Sequence, residues 1–212
     1  MAEDHLRLWE TLFQRALLLI DSARASGAAL SSWSFGGGTV LMRRYHHRLS
    51  KDIDIFVLDP QGLPYLSPRL NDVADSLTSD YVEQSEYLKL NFPEGEIDFV
   101  ASAPLTKSAT VTETIFGRAV EVETSSEIIA KKVWHRGDRF TARDVFDLAL
   151  VAEKEPEALR EIRPILRDRR EVIFNRIASQ EAAQREAFAA LEILDYRRSF
   201  DECMERIRKV LK

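Results

Sequence analysis

Between Leu6 and Ala23 the apolar residues Leu6, Trp9, Leu12, Phe13, Leu17, Ile20 and Ala23 return at three- and four-residue steps, and Gly27 follows. Residues at that spacing share one face of an α-helix, and a glycine is a natural stop, so the pattern predicts an amphipathic helix. The periodicity then shortens. A strand is expected through Trp33 and Phe35, then a turn at Gly36-Gly37-Gly38. A helix follows, with Thr39 at its N-terminus and Val40-Leu41-Met42 leading into the basic stretch Arg43 to Arg48. Asp52 to Leu58 is β-rich and closes at Asp59-Pro60, which reads as a strand and a turn. A helix is expected at Arg69 to Leu77, with Leu70, Val73, Ala74 and Leu77 on one face. Tyr81 to Phe92 and Glu96 to Val100, joined through Pro93-Glu94-Gly95, read as a hairpin, and Thr114 to Val122 as a further strand.

From Ser125, whose hydroxyl can cap a helix, helical patterning runs through Lys212, with breaks at Gly137, Pro156 and Pro164. The expected fold class is therefore α+β: a mixed sheet with helices over residues 1–124, followed by a helical bundle over residues 125–212. No internal repeat, low-complexity tract or flexible linker interrupts it.

Composition narrows the picture. With 212 residues, 45% of them hydrophobic, the chain can bury one good core or two small ones. The aliphatic run Leu17 to Ile20, flanked by Arg15, Asp21 and Arg24, is far too short to cross a bilayer, so no membrane span is expected. The start Met-Ala-Glu-Asp-His is acidic where a secretory signal would be basic, which points to a cytoplasmic protein. The single cysteine, Cys203, forms no internal disulfide and offers no thiolate cluster for zinc. A net charge of −5 argues against a protein that coats nucleic acid nonspecifically. One local basic cluster, Lys131, Lys132, Arg136, Arg139 and Arg143, is opposed there only by Asp138.

Side chains alternate along a strand, so Asp52 and Asp54 project from one face while Ile53 and Ile55 project from the other. Two like charges side by side in an apolar strand are costly unless a cation lies between them, and Mg2+ or Mn2+ is the natural partner. A solvated strand edge would show the same pair, and the two readings stand level on the motif alone. Asp98, in the apolar segment Glu96-Ile97-Asp98-Phe99-Val100, adds a third carboxylate, with Glu96 on the same face as a competitor. Three strand carboxylates make a two-metal site, in which one ion activates an attacking oxygen and the other neutralises a leaving pyrophosphate, a concrete expectation. Gly37, Gly38 and Thr39, at a helix N-terminus ahead of this strand, suit a triphosphate. On the later helix, Arg143 shares a face with Asp147, and Asp144 lies three positions before Asp147, so a mixed cluster is available there; ordinary surface salt bridges are the alternative. His46 and His47 read as a polar helix end.

Two separated segments carry a family resemblance. Gly-Gly-Gly-Thr-Val-Leu followed by Arg48-Leu49-Ser50-Lys51-Asp52-Ile53-Asp54-Ile55-Phe56 resembles the glycine motif and Asp-x-Asp strand of polymerase-β-like nucleotidyltransferases, specifically the AbiEii/AbiGii toxin family. Ile129-Ala130-Lys131-Lys132-Val133-Trp134-His135-Arg136 with Arg143-Asp144-Val145-Phe146-Asp147-Leu148 resembles that family's helical motif. Val40, where the family often has alanine, and the third glycine depart from the pattern. The resemblance implies an N-terminal nucleotidyltransferase domain and a C-terminal helical domain, with an NTP lying between them. Asp52, Asp54, Asp98, Lys132 and Asp147 are then the catalytic candidates, the first three holding metal. Lys132, with Lys131 as alternative, would contact the triphosphate; Gly37, Gly38, Thr39, Arg48, Ser50, Arg136, Arg143 and Asp144 would complete the nucleotide site. It further implies a toxin that transfers NMP to an RNA acceptor, the 3′ end of tRNA, with a separately encoded antitoxin as a partner. The basic cluster could hold a short RNA end. A small-molecule or protein acceptor and a non-catalytic nucleotide-binding module are the rival readings.

Overall fold

A computed structural model describes residues 6–30 and 32–211; the acidic start of the chain lies outside them. The chain divides into two compact units. Met1–Val40, Ser50–Ala103 and Val111–Glu123 form the first, and Leu41–Leu49, Pro104–Thr110 and Thr124–Lys212 the second.

The first unit is built on a seven-stranded sheet of order β3-β4-β5-β2-β1-β7-β6. Its strands are β1 (Trp33–Gly36), β2 (Ile53–Val57), β3 (Tyr81–Glu83), β4 (Tyr87–Phe92), β5 (Gly95–Ala101), β6 (Thr110–Ile115) and β7 (Arg118–Glu123). The sheet is mixed: β1 runs antiparallel to β2 and parallel to β7, while β2 runs parallel to β5 and β5 antiparallel to β4. Helix α1 (Leu8–Ala25) packs on β2 and β5 through the buried stripe Leu12, Phe13, Ala16, Leu19 and Ile20. Phe13 stacks on Phe35 of β1 with ring centroids 4.5 Å apart. In β2 the residues Ile53, Ile55 and Val57 are buried while Asp54 and Phe56 are only partly covered, the alternation of a strand with one face on a core.

Several elements differ from the sequence reading. Helix α2 (Gly37–Tyr45) begins at the second glycine of the triplet, not after it. Its first turn belongs to the first unit and the rest to the second. Tyr81 to Phe92 is two strands, and Pro60–Leu66 is a 3-10 helix whose first turn is capped by Asp59, accepting from the Gln61 amide at 2.9 Å. Thr114 to Val122 is a hairpin rather than one strand. Its turn residues Phe116 and Gly117 both have positive φ (50° and 74°), as a two-residue type I′ turn requires, and a phenylalanine hides that turn from pattern reading.

The second unit is helical: α3 (Asp72–Leu77) belongs to the sheet unit, and the bundle comprises α4 (Ser125–Arg136), α5 (Ala142–Lys154), α6 (Ala158–Glu161), α7 (Arg163–Ser179), α8 (Glu181–Ala189) and α9 (Phe200–Val210). Thr124, not Ser125, caps α4, and capping boxes start α5 (Thr141 with Asp144) and α9 (Ser199 with Glu202). Phe146 of α5 is the aromatic centre, edge-on to Phe188 at 5.5 Å and 5.2 Å from Tyr196. The buried Glu127 carboxylate accepts the amides of Leu105 and Thr106 and the Thr106 hydroxyl, which fastens the 104–110 segment to α4. Cys203 is buried and free. Among the described residues no helix is long and apolar enough to cross a membrane.

Candidate active site

The parallel register of β2 and β5 sets Asp54 directly beside Asp98. One step earlier on the same face, Asp52 accepts the Glu96 amide at 3.2 Å. Four acidic residues thus lie two by two on one sheet face. Lys89 of β4, in register with Asp98, bonds the Glu96 carboxylate and lies 3.2 Å from Asp98 Oδ1. That contact has ion-pair distance without hydrogen-bond geometry, and the buried Oδ1 has no hydrogen-bond partner among the described residues. Burial pushes the Asp98 carboxyl above its ordinary range, and neighbouring Glu96 and Asp52 add to this, while Lys89 opposes it.

The glycines serve these carboxylates. A Cβ on Gly37, which has φ +74°, would overlap the Asp54 carboxylate, and one on Gly36 would overlap the carboxylate of Glu123 from β7. Two acidic side chains therefore lie flat against backbone where only glycine leaves room. Gly38 and Thr39 are buried in the first turn of α2. The Thr39 hydroxyl donates to the Asp52 carbonyl at 2.6 Å and lies 3.1 Å from Ser50 Oγ, so it ties the helix start to the segment leading into β2. Gly37→Ala should lose about 1–3 kcal/mol through positive-φ strain and the overlap with Asp54. A urea midpoint equal to the wild-type value would sink this account of the glycine.

Among the described residues no three His, Cys, Asp or Glu side chains converge closely enough to enclose an ion by themselves. The donor set nevertheless suits a divalent ion that arrives with substrate oxygens. It consists of carboxylates on one face, and among the described residues the buried Asp98 Oδ1 is met only by the Lys89 ammonium at 3.2 Å. Magnesium usually takes one or two carboxylates and keeps the remaining positions for water and phosphate.

A second polar constellation lies wholly in the helical unit. Asp147 is fully buried and receives Arg48 through two bonds of 2.8 Å, His47 Nε2 at 2.9 Å and Lys132 Nζ at 3.2 Å. Lys132 Nζ also donates to Asp144 Oδ1 at 2.8 Å, and the other Asp144 oxygen accepts the Thr141 amide and hydroxyl. Burial disfavours the charge on Asp147, yet Arg48 and Lys132 outweigh it and hold the carboxyl well below its usual range. Burial likewise opposes the Lys132 charge, but Asp144 and Asp147 prevail and its pKa rises. His47 goes down, chiefly through burial. Its Nε2 faces an ionised carboxylate and its Nδ1 has no hydrogen-bond partner among the described residues, so it is a neutral imidazole with the proton on Nε2.

The candidate residues from the sequence therefore separate. Asp52, Asp54, Asp98, Gly37, Gly38, Thr39 and Ser50 fall in the sheet unit, and Arg48, Lys131, Lys132, Arg136, Arg143, Asp144 and Asp147 in the helical unit. Arg48 is buried against Asp147 rather than held out in a loop. Lys131 is buried 3.5 Å from Glu127, and Arg136 lies 3.6 Å from Asp144. Arg143 is exposed, whereas Asp144 and Asp147 are buried. Sequence reasoning missed His47, which is no exposed helix end, and also Glu123 and Lys89. Only Lys89 had a signal: it is the polar residue of the alternating Tyr-Leu-Lys-Leu strand that faces Glu-Ile-Asp across a tight hairpin.

The family model described as nucleotidyl transferase AbiEii toxin, type IV toxin–antitoxin system, matches residues 23–210. The chain belongs to the AbiEii family. This AbiEii protein is accordingly an enzyme, a nucleotidyltransferase of the toxin class. Its fold agrees with solved structures. JHP933 from Helicobacter pylori is 16% identical, with TM-score 0.54 over 99% of this chain and 90% of that one. MenT4, nucleotidyltransferase toxin Rv2826c from Mycobacterium tuberculosis H37Rv, is 17% identical, with TM-score 0.55 over 98% and 82%. Both share the α+β architecture expected from the sequence. No curated protein matches the chain.

Proposed function

We propose that this AbiEii enzyme transfers NMP from an NTP to the 3′ end of tRNA, and that a separately encoded antitoxin restrains it. The observation that carries the reading is the Asp54–Asp98 register pair beside Gly37 at the start of α2. Asp52, Asp54 and Asp98 are the residues we assign to a divalent metal, Mg2+ or Mn2+. When bound, such an ion supplies positive charge for the phosphate oxygens. The acceptor's 3′ oxygen bonds the α-phosphorus, the α–β phosphoanhydride breaks, and pyrophosphate leaves. Asp98 is our candidate to take the hydroxyl proton. Lys132 donates to Asp144 and lies 3.2 Å from Asp147, and we assign a phosphate oxygen to one of its other N–H donors.

The test is incubation with bulk tRNA, Mg2+ and each α-labelled NTP in turn, beside an Asp52→Ala, Asp54→Ala double variant. Label on tRNA with one NTP, absent with the variant, is the expected result. Label on a protein or small molecule instead would replace the acceptor, and no transfer at all would remove the enzymatic assignment of these carboxylates.

A further inference from the structure

The basic cluster expected to meet RNA is largely neutralised within the fold. Lys131 pairs with Glu127, Lys132 with Asp144 and Asp147, Arg136 approaches Asp144 and Arg139 lies 3.7 Å from Asp138. Exposed, unneutralised charge lies elsewhere. Helix α7 carries five arginines against two carboxylates. It turns Leu166, Ile173 and Ile177 inward. Arg163, Arg167 and Arg170, at steps of four and three, share one exposed stripe of it. Unlike Arg185, Arg198, Arg118 and Arg69, each bonded to a carboxylate, none of the three has an ion-pair partner among the described residues. Arg169, off the stripe, is engaged: its guanidinium lies 4.4 Å over the Trp134 ring and its Nε 3.7 Å from Asp168.

Four residues past Arg170, on the same stripe, comes the half-buried ring of Phe174. It lines a cavity of about 290 Å³ together with Phe200 and Met204. A row of cations about 10 Å long suits a polymer of closely spaced phosphates better than one small anion. Guanidinium groups match phosphate in two-point geometry. An aromatic ring at the end of such a row is what a single-stranded base stacks on. We propose that Arg163, Arg167 and Arg170 bind the phosphate backbone of the RNA acceptor, with Phe174 as a stacking platform. This rests on the RNA-acceptor reading above and adds the surface that docks the acceptor.

The experiment is fluorescence anisotropy of labelled bulk tRNA without NTP, comparing wild type with an Arg163→Ala, Arg167→Ala, Arg170→Ala triple variant. Each lost phosphate contact flattens the plot of log affinity against log salt by about 0.7–0.9, so the triple slope should be shallower by about 2–3. The wild-type advantage then shrinks about 20- to 40-fold between about 50 and 200 mM salt. A triple Arg→Lys variant should keep most of the binding, and all variants should bind Mg-NTP as wild type does. Wild-type tRNA binding with an unchanged slope in the triple alanine variant overturns the stripe alone. No wild-type tRNA binding overturns the RNA-acceptor reading as well. If the triple variant loses a labelled polyglutamate probe and keeps tRNA, the stripe belongs to an acidic protein and the proposal is wrong.

Discussion

Asp147→Asn should destabilise the helical unit by about 3–5 kcal/mol, the range for breaking a buried ion pair from one side. The substitution keeps the volume, so no cavity contributes. What changes is that the amide presents donors to Arg48 and Lys132, which have only donors to offer. Arg48 stays buried and keeps its bond to the Leu49 carbonyl at 3.2 Å, but it loses the carboxylate charge that held it. A drop in stability below about 1 kcal/mol by urea unfolding would mean that Arg48 swings out to water. The pH dependence follows with its signs. His47 has a lowered folded pKa, so the unfolded chain binds the extra proton first. Stability is then complete above the unfolded value near 6.5 and falls below it by up to about 1.4 kcal/mol per pH unit. Asp147 is also lowered, so its contribution is present above the ordinary carboxylate range and fades as the pH drops through its folded value. His47→Gln should remove the decline between about pH 6.5 and 5 and leave the more acidic one. An unchanged profile in that variant would show that His47 takes up its proton without disturbing the fold.

The parts of this architecture that were legible in the sequence are those fixed by local periodicity. The period-two alternation of Asp-Ile-Asp-Ile-Phe placed both carboxylates on one face, and β2 has that burial pattern. The α-helical repeat gave α1 and the helical character after residue 124. What was not legible depends on which strands become neighbours. Glu123 reaches Gly36 because β7 pairs with β1, strands separated by most of the first unit's sequence. His47 meets Asp147 across 100 residues. A histidine after a run of basic residues reads as polar surface until a buried carboxylate is known to face it. The same holds for charge. Five cationic residues within thirteen positions looked like a nucleic-acid patch because the carboxylates that neutralise them come partly from the next helix.

Asp98→Asn should separate function from stability in the opposite sense to Asp147→Asn. Asp98 is a half-buried carboxylate in a block with Asp52, Asp54 and Glu96, answered on that face by Lys89. Crowded like charges disfavour one another, and burial adds a desolvation penalty to the ionised form. The neutral isostere relieves both, and Lys89 keeps Glu96 as its partner. The variant should therefore unfold at the wild-type urea concentration or a higher one. NMP transfer should fall on the order of 100-fold or more, since on the proposed function the substitution removes a carboxylate assigned to the metal and with it several kcal/mol of charge stabilisation at the phosphoryl group. A carboxylate retained for folding would show the reverse, lower stability with little change in transfer. On the function proposed above, this acidic block is kept for the cation that travels with the triphosphate.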